Sequence, residues 1–456
     1  MATEHLSPLD LAFWRIESAA HPMHLGALAV FTAAGPGAAE HAAELLTARC
    51  AAVPGLRRRI HDVLLPFGAA AWSPDPDFDP ARHVFLVRTT TATATGAPGR
   101  EGPQPAAADL PAAAGPLMAR PLDRRLPPWE AHVLAGPDPD SFAVLFKFHH
   151  ALADGLGALA LAASLFDEGP PLRAPARPLP EQRAGSALSR LPGALASRVQ
   201  DVGQALEIGA AVARAGLPLG VPEALTADPA GVAGTRTVAG LALDLDEVNL
   251  IRKTTGGTVN DVLITLVAGA LRRWLAGRGA PAPREPGPRA LIPVSRRRGP
   301  GGGGAGNRLS GYLLRLPLCE PDALRRLYRV RIAMDRNKDA GPARGAGAVA
   351  LLADHVHPLG HRLGGPLVAQ AARLLYDILI TSVPLPGLTF SLGGSRVREV
   401  YPLAPLARGQ SLAVAVSTYK GTVHYGLVAD AAAVPDVDAL AGALRAELDM
   451  LVREVS

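Results

Sequence analysis

Short apolar runs carrying β-branched or aromatic residues alternate along this chain with longer stretches where apolar residues recur every three to four positions. Residues 142–146, Phe-Ala-Val-Leu-Phe, are apolar without a break and predict a buried strand. Residues 155–166 are rich in Ala and Leu and predict a buried helix directly after it. Upstream, Ser7 as N-cap and Pro8 at the first helical position predict a helix within 5–17. A strand over 25–31, an amphipathic helix over 38–53 and a strand-like stretch around Val63-Leu64-Leu65 follow. Residues 89–114 are low in complexity and predict a surface loop, after which 116–126 hold a short helix and 130–134 a strand.

A Pro-rich segment over 169–180 marks a boundary, and 184–216 has helical periodicity with few charges. That stretch reads either as a helical crossover or as an amphipathic patch resting on lipid, with Arg190, Arg198 and Arg214 near headgroups. Beyond it, strands are expected at 238–244, 291–295, 309–316, 397–401, 412–419 and 422–428. Helices are expected at 246–254, 259–275 and 436–452. The domain division is therefore 1–168, a linker and crossover over 169–234, and 235–456, with two strand-and-helix halves in an α/β (α+β) class.

A length of 456 residues with 48% hydrophobic residues allows a well-filled core. The net charge of +5 is mild for that length and comes with no dense basic tract, so nucleic acid is not an expected partner. A basic excess suits phosphate-bearing ligands or an anionic membrane surface. Cys50 and Cys319 are isolated thiols with no paired spacing, which signals neither a zinc knuckle nor a disulfide framework and fits a reducing cytoplasm. The first residues carry Glu4, Asp10 and Glu17 rather than a basic head and an apolar core, so no secretory leader is expected. The most apolar long stretch, 205–221, is broken by Glu207, Arg214 and Pro218, so any membrane contact should be peripheral.

The chemistry concentrates where the 142–146 strand ends. His149 and His150 are adjacent there, with Asp154 four residues beyond the second and Gly155 beside it. A neutral imidazole on a rigid strand end can take a proton from a hydroxyl, since its ordinary pKa lies near neutrality. The plainer reading makes both histidines satisfied core residues, and their pairing with Asp154 and Gly155 argues against it. Asn260 and Asp261 open a helix, where either can cap free N–H groups. Arg297 either holds Asp154 in a bidentate pair or meets an anionic ligand. The glycine run 299–306 lacks the Gly-Lys-Ser/Thr ending of a phosphate loop. His355, His357 and His361 are interrupted by Pro358 and lack thiol or carboxylate ligands beyond Asp354, so no metal site is expected. No elbow-type Gly-x-Ser-x-Gly is present, which weighs against a serine acyl-enzyme.

The stretch His149-His150-Ala151-Leu152-Ala153-Asp154-Gly155 resembles the HHxxxDG signature of the acyl-CoA-dependent acyltransferases, which include chloramphenicol acetyltransferase and peptide-synthetase condensation domains. Five further blocks narrow the likeness to the bacterial wax ester synthase/diacylglycerol acyltransferase family: Pro8-Leu9-Asp10, Pro22-Met23-His24-Leu25-Gly26, Arg120-Pro121-Leu122-Asp123 with Pro128-Trp129-Glu130, Val259-Asn260-Asp261-Val262, and Gly306-Asn307-Arg308-Leu309-Ser310. The tail over 397–451 follows the same pattern, so the resemblance reaches across nearly the whole chain. It implies two chloramphenicol-acetyltransferase-like lobes of mixed sheets flanked by helices, with a tunnel between them.

The implied activity is O-acyl transfer from long-chain acyl-CoA to diacylglycerol or a fatty alcohol. His150 would be the general base, His149 and Gly155 would shape the loop, and Asp154 would serve structure. Asn260, Asp261, Arg297 and Asn307 are candidate substrate or acyl-CoA contacts. No bound cofactor is implied, acyl-CoA being a co-substrate, and the expected place is the cytoplasm, a membrane's inner face or a lipid-droplet surface. Thr381-Ser382-Val383-Pro384-Leu385-Pro386 departs from the family's SNVPGP stretch at Ser382 and Leu385. Those departures keep open an acyltransferase for a specialised-metabolite alcohol or amine. A lipid-binding homologue without catalysis is the remaining alternative.

Overall fold

The structure, a computed structural model, describes residues 4–64, 67–88, 110–136, 138–152, 157, 161–162, 164–167, 225, 235–295, 309–340, 376–385 and 389–456. The first half contributes β1 (Glu4–His5), α1 (Pro8–Ile16), β2 (His24–Thr32), α2 (Ala38–Cys50), β3 (Arg58–Asp62), β4 (Ala70–Pro74), β5 (Val84–Arg88), α3 (Leu110–Ala119), β6 (Trp129–Ala135) and β7 (Ser141–His149). The second half contributes β8 (Arg236–Asp244), α4 (Leu245–Thr255), α5 (Val259–Gly277), β9 (Arg289–Ser295), β10 (Leu309–Arg315) and α6 (Ala323–Ala340). It ends with β11 (Ile378–Pro384), β12 (Ser391–Leu392), β13 (Ser395–Leu403), β14 (Leu412–Tyr419), β15 (Thr422–Asp430) and α7 (Val437–Val455).

These strands build two six-stranded mixed sheets, β12-β13-β2-β7-β6-β5 and β10-β9-β11-β14-β15-β8, and a small sheet β1-β4-β3. The two large sheets face each other. Leu28, Val30, Leu134, Ala143 and Leu145 of the first meet Val238, Ala413, Ala415 and Val428 of the second, with Leu110, Ala114 and Met118 of α3 between them. The opposite face of the first sheet is covered by α2, whose Ala42, Leu46 and Cys50 pack on Phe31, Val133 and Phe142. The opposite face of the second carries α4 to α7 and the largest apolar cluster among the described residues. Because both faces are covered, β2 and β7 are apolar almost throughout rather than alternating. The α/β (α+β) class and the pair of mixed sheets flanked by helices are as expected.

A strand exchange ties the halves together. After β11 in the second sheet, the chain crosses to pair β13 against β2 of the first, then returns to β14 in the second. The approach of the two sheets is close enough that a Cβ on Gly426 would lie 1.9 Å from the Pro402 carbonyl oxygen. Glycine is required there by space alone.

The structure differs locally from the sequence reading. The strand expected around Val63 begins earlier, at Arg58, and ends at Asp62, and Leu64 lies 82% exposed in the turn that follows. Pairing of Arg58–Asp62 with Ala70–Pro74, not apolar content, makes this strand. Residues 110–114, expected in a loop, form the first turn and more of α3 because Leu110 and Ala114 are buried between the sheets. The low-complexity residues 89–109 and the 184–216 stretch lie outside the described residues.

Candidate active site

His149 is the last residue of β7 and His150 the first beyond it. The antiparallel register of β2 against β7 puts His24 directly opposite His149. Both side chains point toward the interior between the sheets, as do Lys147 and, across β6, Glu130 and His132. His149 is 1% exposed, whereas His150 is only half-buried.

Helix α1 supplies one aromatic ring for each imidazole. Ser7 starts it, accepting the Asp10 N–H at 3.2 Å, and Pro8 occupies the first turn, as expected. Phe13 stacks on His150 with ring centroids 4.0 Å apart, and Trp14 meets His149 edge-on at 5.1 Å. The other face of Trp14 carries the Arg124 guanidinium at 3.7 Å, which also donates to the Trp14 carbonyl at 2.8 Å.

Glu17, just past the end of α1, turns its carboxylate inward. One oxygen accepts the Met23 N–H at 3.1 Å, and the other lies 3.6 Å from Nε2 of His149 and 4.0 Å from Nε of Arg124. The Met23 carbonyl in turn accepts the His150 N–H at 2.9 Å. A single carboxylate therefore faces the first histidine through space and holds the second through one residue of backbone. Nδ1 of His149 accepts the Ala151 N–H at 3.0 Å, which assigns the ring proton to Nε2, on the side of Glu17.

Burial sets the protonation states. It pushes His149 well below the usual histidine pKa, helped by the neighbouring His150, Arg124 and His24. His24 falls to about 3 through burial and the charge of Lys147, and its Nε2 meets the Met118 carbonyl at 2.7 Å. Burial raises Glu17, with the Met23 N–H and the charges of Arg124 and Lys147 pulling the other way. Beneath this layer, Lys147 is fully buried and donates to the Arg120 carbonyl and, at 3.3 Å, to Glu130, which also accepts from His132 at 3.0 Å. Burial alone would raise Glu130, but His132, Lys147 and Arg120 bring it down to about 2. A neutral imidazole thus stands at the strand end on a floor of paired charges.

An apolar pocket opens on the other side of β7, lined by Trp129, Phe146, Phe148, Leu152, Leu161 and Leu165. Asn260 and Asp261 sit in the other lobe, at the start of α5. The N-cap is Thr258, not Asn260 or Asp261, and Asp261 closes a capping box by accepting the Thr258 N–H at 2.8 Å and its hydroxyl at 2.7 Å. Ser382 is exposed on β11, and Leu385 is half-buried against the outer core of the first sheet. Asp154, Gly155, Arg297 and Asn307 lie outside the described residues, as do His355, His357 and His361. No cluster of metal-ligating side chains occurs among the described residues.

Glu17, Phe13, Trp14 and Arg124 were not singled out in the sequence. Their spacing from the histidines carries no signal, because only the β2–β7 register and the docking of α1 bring them together.

Comparison with known proteins identifies the family. Residues 6–263 match the wax ester synthase/diacylglycerol acyltransferase catalytic domain, and residues 305–452 match the C-terminal domain of the same family. A Mycobacterium tuberculosis protein named "Probable diacyglycerol O-acyltransferase tgs2" is 31% identical over 99% of this chain and 99% of its own. Among solved structures, the wax ester synthase/diacylglycerol acyltransferase from Marinobacter aquaeolei VT8 superposes with a TM-score of 0.71 at 22% identity, covering 99% of each chain. The starter condensation domain of rhizomide synthetase, solved with C8-CoA and Leu-SNAC, gives 0.54 at 17% identity over 99% of this chain and 94% of that one. Both structures share the fold of two facing sheets. The chain belongs to the wax ester synthase/diacylglycerol acyltransferase family and is an acyltransferase.

Proposed function

We propose that this enzyme moves a long-chain acyl group from acyl-CoA to diacylglycerol or a long-chain alcohol, with His150 as the general base. The observation that carries the choice of base is the contrast between the two imidazoles. His149 is sealed in and has Nδ1 engaged by the Ala151 N–H, while His150 is half-buried and held in place by Phe13 and the Met23 carbonyl. A base must reach its substrate, so the second histidine is the better candidate.

In the step we envisage, a ring nitrogen of His150 takes the acceptor hydroxyl proton as that oxygen bonds to the thioester carbonyl carbon. The carbon–sulfur bond then breaks, and the imidazolium returns the proton to the departing thiolate. Ester and free coenzyme A result, with no covalent enzyme intermediate and no net proton change. His149 and Glu17 hold the base in position, and the family resemblance gives Asp154 a structural role and Gly155 one in shaping the loop. Asn260, Asp261, Arg297 and Asn307 remain candidate contacts to acyl-CoA, with Asp261 acting through the helix end it caps. The acyl donor and the acceptor would enter between the lobes, into a site that would exclude water.

The test is His150→Ala, checked for fold by circular dichroism and assayed by thiol release from palmitoyl-CoA. A loss of about two to four decades in rate is expected for removal of a general base. Retention of most of the rate overturns the assignment. Ser382 and Leu385 favour a second reading with a different acceptor, and a panel of diacylglycerol, alcohols and amines separates the two.

A further inference from the structure

Two adjacent residues of α1 meet two adjacent residues at the end of β7, and they meet them unequally. Neighbours on a helix point about 100° apart, so Phe13 and Trp14 splay onto different imidazoles. Phe13 lies flat on His150, with ring centroids 4.0 Å apart and planes inclined by 16°. Trp14 meets His149 edge-on, its plane turned by 76°. A face of Trp14 is already taken by the Arg124 guanidinium at 3.7 Å.

An aromatic face carries partial negative charge and an aromatic edge partial positive charge. A cation centred over the face is therefore attracted, and more strongly where water is scarce. His150 is half-buried against such a face. His149 is sealed from water, and a cation sits on its aromatic neighbour. Burial, His150, Arg124 and His24 all disfavour its charged form. Helix α1 thus offers positive charge a place on one imidazole and none on the other.

We propose that Phe13 is a positioning residue whose π face stabilises the imidazolium form of His150, so that the second histidine of the pair is the one that carries the proton. The stack fixes the plane of the imidazole and strengthens as that ring gains charge. A contact that strengthens on proton uptake favours the transition state over the ground state, which is what accelerates a step of general-base catalysis. This last link rests on the proposed role of His150 as base, and the charge preference itself does not.

The test uses the full chain with Phe13 replaced by mono-, di- and trifluorinated phenylalanine, which draw charge from the ring face and nearly keep its shape. The titratable and charged groups facing the histidines and their carboxylate, among the described residues, are Glu17 past α1, Arg124 before β6, Lys147 on β7 and His24 on β2. None of them changes in the series. The His150 titration is followed by nuclear magnetic resonance of isotope-labelled histidine, its signal identified by loss in His150→Ala. Turnover is followed by thiol release from palmitoyl-CoA across pH.

The stack raises the pKa of His150, so weakening it should move the midpoint to lower pH, by about half a pH unit at the third fluorine. The acid limb of the kcat profile should follow, and the plateau kcat should fall stepwise by about threefold to fivefold with KM held. Phe13→Leu, which fills space without a π face, should match the trifluorinated protein in midpoint. A His150 midpoint that stays constant across the fluorinated series overturns the proposal. A leucine variant that loses stability while the fluorinated proteins titrate and turn over like wild type reduces Phe13 to packing and overturns it too. A midpoint that moves as expected while turnover does not, together with an active His150→Ala, overturns His150 as the base and leaves the charge preference standing.

Discussion

Glu17 shows how much at this site depends on single side chains. It accepts the Met23 N–H while facing Nε2 of His149, so amide and alanine replacements should differ. Glu17→Gln keeps an acceptor for Met23 and removes the charge; we expect kcat to fall by about tenfold, as for loss of one charged contact. Glu17→Ala also strands the Met23 N–H and should fall further, by about a hundredfold, with a lowered melting temperature. Steady-state kinetics on both variants, with circular dichroism, checks the order. The paired histidines were visible in the sequence because their neighbours in the motif are local. Glu17 was visible only as a charge, since its meeting with His149 spans 132 positions and follows from the β2–β7 register together with the docking of α1.

At the scale of the element, chain ends decided what the sequence could reveal. Strands buried on both faces, such as β7 and β14, announce themselves as unbroken apolar runs, and their positions were read closely. The strand Arg58–Asp62 has no such run; pairing with β4 creates it. At α5, Asn260 and Asp261 were the evident caps, yet the box begins at Thr258, two residues before Asn260. Thr258→Ala should therefore destabilise the protein by about 1 kcal/mol, the usual cost of losing an N-cap, measured by urea denaturation. Asn260→Ala should be close to neutral in the same measurement, since Asn260 makes no capping bond there.

Across the whole molecule, buried imidazoles govern the response to acid. Burial lowers His424 to about 4, with Glu399 opposing, and His24 to about 3. Each is neutral when folded but protonates near 6.5 when unfolded, so the stability it represents is complete above that pH. It is lost as pH falls through 6.5 toward the folded values. His424→Leu should flatten the loss between pH 6.5 and 4 by about 1.4 kcal/mol per pH unit, one proton's worth, in denaturation series at stepped pH. Gly426 tests the contact between sheets: Gly426→Ala places a methyl against the Pro402 backbone, which has no side-chain freedom to yield. A loss of about 3 kcal/mol in thermal unfolding is expected, at the upper end for overpacking.

The crossing of residues 391–403 into the first sheet has a consequence for synthesis. Strand β2 emerges from the ribosome early, but its β13 neighbour is made only after most of the chain. Until then β2 presents an open edge of N–H and C=O groups, the template on which chains aggregate. The paired histidines therefore come to rest on a finished scaffold only near the end of translation. A fragment stopping before residue 391 should precipitate, and supplying the remainder in trans should rescue it.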